Sequence, residues 1–284
     1  MTGWARACRW SVGWLFVLTC ALAARGGESM DEYEVVGREE RRGVLWVRVR
    51  SAFQEGETVV RFLAPAKLAL PAERRVLFVL PVEPKLKSRF GDGLATVRKL
   101  RVPERYGFVA VAPTFRDWPW YCDHPTDKTR RQETYVLKVV VPLTAKLYPH
   151  EAEHRGLLGF SKSGWGAFTL LLRNPESFAA AVAWDAPLMM RKPRYEMARL
   201  CGGQDGFEAY RVARLLEDRA EAVRDRKRLA HFGYGNFRSH HEQAHALMRR
   251  LGIPHDYADG PQRRHHWDGG WVDDAARMLD RLLR

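Results

Sequence analysis

Residues 159–167 read Gly159-Phe160-Ser161-Lys162-Ser163-Gly164-Trp165-Gly166-Ala167. A short apolar run, Gly156 to Phe160, leads into this stretch, and a helix-compatible apolar run, Ala167 to Arg173, leads out. The pattern predicts a strand that turns sharply into a helix with a serine at the apex, where its hydroxyl is free to act as a nucleophile. So tight a turn crowds its neighbours, and the residues two before and two after the serine must be small. Gly159 meets that demand. Ser163 stands where such turns usually carry glycine, and it is small enough to fit.

The rest of the chain alternates strand and helix signals. Residues 25–42 read as a charged lead-in. Gly43 to Arg50 alternates like a strand, and Thr58 to Leu63 follows a turn at Gln54-Glu55-Gly56, which predicts a hairpin. Arg75 to Val82 is a continuous apolar run, as in a buried central strand, and Gly107 to Ala112 is the next. A helix over Gln132 to Leu147 precedes the serine turn. After it come a strand over Phe178 to Trp184, a helix over Gly206 to Arg224 and a strand over Leu229 to Tyr234. A helix over His240 to Leu251, a short strand over His255 to Ala258 and a final helix over Trp271 to Leu283 complete the chain. Strands alternating with helices imply a mostly parallel sheet covered on both faces.

Composition, with 284 residues of which 46% are hydrophobic and 29% charged, fits one large domain, here residues 43–284. The first 24 residues read as a secretory signal peptide: Arg6 and Arg9, an apolar run from Ser11 to Ala23, and a small-x-small site at Ala21-Leu22-Ala23. A secreted or periplasmic protein follows, with no stable membrane insertion once the signal is cleaved. Cys8 and Cys20 leave with the signal. Cys122 and Cys201 remain, either as one disulfide or as two thiols. The net charge of +13 is dispersed, with no basic run interleaved with aromatics, so nucleic acid is not an expected partner.

The serine motif, its flanks and a late His265-His266-Trp267 resemble the α/β-hydrolase superfamily, nearest its esterase-D and feruloyl-esterase-like branch. The resemblance runs from about Gly43 to the C-terminus. It implies an α/β-hydrolase fold: a mostly parallel central sheet, helices on both faces and an antiparallel N-terminal hairpin. It also implies hydrolysis of carboxylic esters, with Ser161 as nucleophile and a histidine as its base.

Serine needs an adjacent base, and the base an orienting acid. In this fold they follow in the order serine, acid, histidine. The His-x-Trp spacing selects His265 as the base, with His266 as the alternative. The acid's usual place, four residues into Gly233-Tyr234-Gly235-Asn236, holds asparagine. Asp185, at the end of the strand after the serine helix, is the favoured acid, with Asp256 and Asp259 as rivals. The oxyanion donors expected are the amide of Lys162 and that of Val82 or Glu83, since Pro81 and Pro84 carry no N–H. The Lys162 side chain either favours an anionic substrate or points to solvent. Trp120 and Tyr121, within an aromatic run from Trp118 to His124, are expected with Trp165 to line a pocket for a small-molecule or saccharide-linked ester.

Two other motifs compete. His241-Glu242-Gln243-Ala244-His245 matches H-E-x-x-H, which on a helix would place two zinc ligands one turn apart. No third ligand of the known extensions follows, so no metal or organic cofactor is expected. Gly156 to Ser163 approaches a phosphate loop, but Pro149 to Arg155 before it cannot be the required buried strand. The expected function is a secreted serine esterase with Ser161, His265 and Asp185 as its triad. The alternatives are a catalytically inactive hydrolase fold that binds sugars or partners, a serine peptidase of the same fold and, more distantly, a zinc hydrolase.

Overall fold

The structure, a computed structural model, describes residues 32–284 apart from Lys85 and Lys87. The signal segment lies outside the described residues. One nine-stranded sheet runs in the order β1-β2-β3-β5-β4-β6-β7-β8-β9. β1 (Tyr33–Arg41), β2 (Val44–Ser51) and β3 (Gln54–Leu63) form an antiparallel meander, and β3 pairs antiparallel with β5 (Phe108–Pro113). From there β4 (Arg75–Val79), β6 (Arg155–Phe160), β7 (Ala180–Trp184), β8 (Leu229–Phe232) and β9 (His255–Ala258) are all parallel.

The expected hairpin is therefore three strands. β1 lies inside the segment read as a lead-in. Its Glu and Arg residues hid it, because an edge strand with a solvated face need not be apolar.

Between the central strands lie α1 (Gly93–Lys99), α2 (Val102–Tyr106), α3 (Gln132–Tyr135), α4 (Val141–Leu147) and α5 (Ser161–Arg173). α3 and α4 are one continuous helix joined through a wider π turn, Val136–Val140. Pro142 explains the wider turn: it has no N–H to donate, and its ring would press on the preceding turn. The helix expected over Gly206 to Arg224 is broken into α7 (Gly203–Glu208), α8 (Val212–Asp218) and a 3-10 turn, Glu221–Val223, after α6 (Met197–Cys201). α9 (Arg238–Arg250) and α10 (Val272–Leu282) close the chain.

Strands β4 to β8, buried throughout except for Arg75 and Arg155 at the starts of β4 and β6, divide two apolar cores. One holds α5 and α9 residues such as Phe168 and Met248, the other α10 residues such as Ala276 and Leu279. Parallel strands covered on both faces put every loop that carries chemistry at the carboxyl ends of the strands. Among the described residues no helix is long and apolar enough to cross a membrane.

Candidate active site

β6 ends at Phe160 and α5 begins at Ser161, whose φ is +52°. A non-glycine residue in the left-handed region is uncommon and marks a site where the surroundings hold the strain. Gly159 is required here, because a Cβ would collide with the Ser163 carbonyl. Ser163 is fully buried. Its hydroxyl accepts from Phe160 N (3.1 Å) and donates to Phe160 O (2.9 Å), so serine in place of glycine ties the turn together.

Asp185 follows β7, also with positive φ (+41°), and is fully buried. Its Oδ2 lies 2.5 Å from Nδ1 of His265, in the loop before α10. Its Oδ1 accepts the Phe237 N–H at 2.6 Å. Burial disfavours the charge of Asp185, but these hydrogen bonds outweigh it and hold the carboxyl below its ordinary range. The His265 ring rests on Phe90 (centroids 5.3 Å) and on Phe160 (5.0 Å), the residue next to Ser161. With Nδ1 engaged by Asp185, Nε2 is the nitrogen left for proton transfer.

The rivals are occupied elsewhere. His266 pairs with Asp268 at 2.5 Å, Asp256 with Lys227 at 2.7 Å, and Asp259 with Arg238. Asn236, at the usual acid position, contributes its backbone to Asp185. Gly235 was not singled out by sequence, yet a Cβ there would collide with the Asp185 carboxylate. The signal was present as Gly233-Tyr234-Gly235, a glycine pair where a second backbone must pass closely.

Val82 and Glu83 follow β4, and both are buried. The Glu83 carboxylate accepts from the Arg89 amide at 2.8 Å. Tyr121 hydroxyl donates to the Pro81 carbonyl at 2.6 Å, steadying the loop that carries the Val82 and Glu83 amides. This corrects the pocket expectation. Trp120, Tyr121 and Trp165 are all fully buried, Trp120 against Trp165 at 5.6 Å and Tyr121 over Gly166, so they pack the core rather than meet a ligand. The aromatic that reaches the site is Trp118. Lys162 Nζ sits 4.6 Å from the centre of its ring, half-buried rather than extended into solvent. Burial, helped by Arg89 and opposed by Glu83, brings the Lys162 amine down to about 8.

The H-E-x-x-H helix does not form the zinc site its pattern predicts. His241 is buried, and its Nε2 accepts the Ala186 N–H at 2.8 Å. Its Nδ1 faces His231 Nδ1 at 3.0 Å. Glu242 pairs with Arg238 at the surface, and His245 turns to His255 instead (2.8 Å). Ring nitrogens of His231, His245 and His255 do lie within 4.8 Å of one another. The tautomers oppose a metal there. His241 accepts at Nε2, so it carries its proton on Nδ1 and donates it to His231. Neutral His231 then bears its own proton on Nε2, the atom a metal would need.

Cys122 and Cys201 form a disulfide, with Cα atoms 5.6 Å apart. It ties the aromatic run to the end of α6.

Solved structures share this architecture. A ferulic acid esterase is 17% identical with a TM-score of 0.66, the match covering 85% of this chain and 97% of that one. An S-formylglutathione hydrolase from Agrobacterium tumefaciens is 15% identical with a TM-score of 0.68, covering 88% of this chain and 100% of that one. FphF, a fluorophosphonate-binding serine hydrolase of Staphylococcus aureus, is 12% identical with a TM-score of 0.67, covering 85% and 98%. No protein of curated function matches the chain. The family model Esterase, described as "Putative esterase", matches residues 100–245, more than half of the sequence and the whole segment from β5's approach through α9's first turns. With the serine turn at the centre of that match, the chain belongs to the Esterase family.

Proposed function

We propose that this carboxylic-ester hydrolase works through an acyl-enzyme on Ser161, with His265 as base and Asp185 as the orienting acid. The observation that carries the reading is the 2.5 Å hydrogen bond from His265 Nδ1 to a buried Asp185, beside a serine held at positive φ. Ser161 Oγ attacks the ester carbonyl and passes its proton to His265 Nε2. The carbonyl oxygen, now anionic, takes hydrogen bonds from the amides of Lys162 and of Val82 or Glu83. Collapse breaks the bond to the alcohol, which leaves with the proton from His265. Water then repeats the sequence: His265 takes its proton, its oxygen attacks the acyl carbon, and Ser161 is released with the proton returned.

Intact-mass labelling with a fluorophosphonate tests this, a choice supported by the fluorophosphonate-binding neighbour. The expected result is one adduct, mapped to Ser161 and absent from Ser161→Ala. Labelling and full ester turnover in Ser161→Ala would overturn the mechanism. A folded, unlabelled wild-type protein would favour the binding-protein reading.

The chain also reads as secreted. The signal-like first 24 residues and the Cys122–Cys201 disulfide, a bond kept in oxidising compartments, support that. The mass of the exported protein tests it, expected to lack those residues.

A further inference from the structure

A cavity of about 550 Å³ shares Phe237 with the surroundings of Asp185 and His265. It is lined by Arg191, Lys192, Arg194, Tyr195, Phe237 and His240, among others. Phe237 joins it to the site: its N–H holds Asp185, and its ring lies 6.1 Å from that of His265. The volume is in the range of small-ligand pockets and is ample for a sugar ring.

Its charge is one-sided. No carboxylate is among its lining residues. Most arginines of this protein lie beside an acid, whereas Arg191, Lys192 and Arg194 have no ion pair among the described residues. The nearest acid in sequence, Glu196, is drawn away to Arg199 at 3.0 Å. His240 accepts the Met189 N–H on Nδ1 at 3.0 Å, which leaves its Nε2 proton as a further donor.

The wall is held in place. Tyr195 and Glu196 both have positive φ (+54° and +70°), and the Tyr195 carbonyl accepts from Trp120 Nε1 at 2.9 Å. The disulfide then anchors α6, which begins one residue after Glu196. Strained backbone fixed by a buried indole and a cross-link is backbone kept in one shape, as at ligand sites.

We propose that this cavity is a subsite for a carboxylate-bearing group of the ester substrate, with a uronic-acid residue as the class that carries that charge on a sugar. The proposal deepens the esterase reading and rests on it for the word substrate. Beside the apolar Pro187, Met189, Met190 and Phe237 of the lining, the three cations and the neutral imidazole donor single out an anionic group. Phe237, which lines the cavity and lies beside His265, links a carboxylate held there to the ester site.

The test is binding to Ser161→Ala, which keeps the cavity whether or not Ser161 is the nucleophile. D-glucuronate and D-glucose, alike but for the carboxylate, are titrated calorimetrically at low ionic strength. The expected result is at least tenfold tighter binding of glucuronate, weakened by added salt and lost in the Arg191→Gln, Lys192→Gln, Arg194→Gln variant. The single reversal Arg194→Glu should lower glucuronate affinity in the same sense, and circular dichroism checks that each variant is folded. Equal affinity for the two sugars overturns the proposal. So does a preference that survives the triple variant, which would place the anion elsewhere on a basic surface. Failure of fluorophosphonate labelling would sink the esterase mechanism and leave this result standing.

Discussion

Ser161 donates its backbone N–H to the carbonyl oxygen of Asp185 at 3.2 Å. The two left-handed residues of the site thus brace each other through main chain, while the Asp185 side chain turns the other way to His265. A substitution at the Asp185 carboxyl therefore spares the brace. Asp185→Asn should fold normally and lower kcat by about 10³–10⁴-fold with little change in KM, because an amide can hold His265 only in the wrong tautomer. Steady-state kinetics on a nitrophenyl ester checks it. A loss below tenfold would show that Asp185 does not orient the base.

Tyr121→Phe removes the hydrogen bond to Pro81 and leaves the core aromatic in place. The cost to stability is about 1 kcal/mol, that of one buried hydrogen bond. Loosening the Val82–Glu83 loop should cost roughly tenfold in kcat with KM nearly constant, since the amides matter most when charge develops. Burial drives the Tyr121 hydroxyl well above its ordinary value, so it remains a donor and the wild-type effect is independent of pH. An unchanged kcat would remove Tyr121 from this positioning role.

Acid should destabilise the fold through His241. Burial lowers its folded value to about 3, against about 6.5 when unfolded. The unfolded chain then binds a proton that the folded chain refuses. This contribution is fully present above pH 6.5 and declines as pH falls toward 3, by about 1.4 kcal/mol per pH unit for the one group. His231 shifts in the same direction. Urea unfolding at pH 7 and pH 5 should show the decline, and His241→Asn should flatten it. A slope the same in both proteins would falsify the assignment.

Removing the disulfide frees a loop with a sequence separation of 79 residues. The chain-entropy estimate for such a loop is about 4–5 kcal/mol. Cys122→Ser, Cys201→Ser, or wild type under reductant, should lose stability on that scale in chemical denaturation. An unchanged midpoint would mean that the reduced chain keeps these segments together when unfolded.

The central strands and the serine turn were legible because burial on both faces leaves continuous apolar runs, and because a tight turn demands small residues at Gly159 and Ser163. His265, expected from the resemblance, and Asp185, expected from its strand end, are brought together at 2.5 Å. What sequence could not show was direction. Trp120, Tyr121 and Trp165 look like a pocket wall in sequence, and only packing decides that they point inward while Trp118 meets Lys162. The H-E-x-x-H pattern records helical spacing faithfully but not that its two rings have different partners. β1 was missed because an edge strand satisfies itself by pairing, with little apolar pattern to betray it.

The turn from β8 into α9 serves Asp185 with main-chain amides and a glycine, not with side chains. The hydrogen bonds to Asp185 therefore do not depend on its side chains at 236 and 237, while Phe237 faces the basic cavity. Such a division lets mutation, natural or directed, explore new substrate preferences at these two positions without first disturbing the hydrogen bond between Asp185 and His265. In this protein the surface that faces the basic cavity and the support of Asp185 share one turn, separated only by the difference between backbone and side chain.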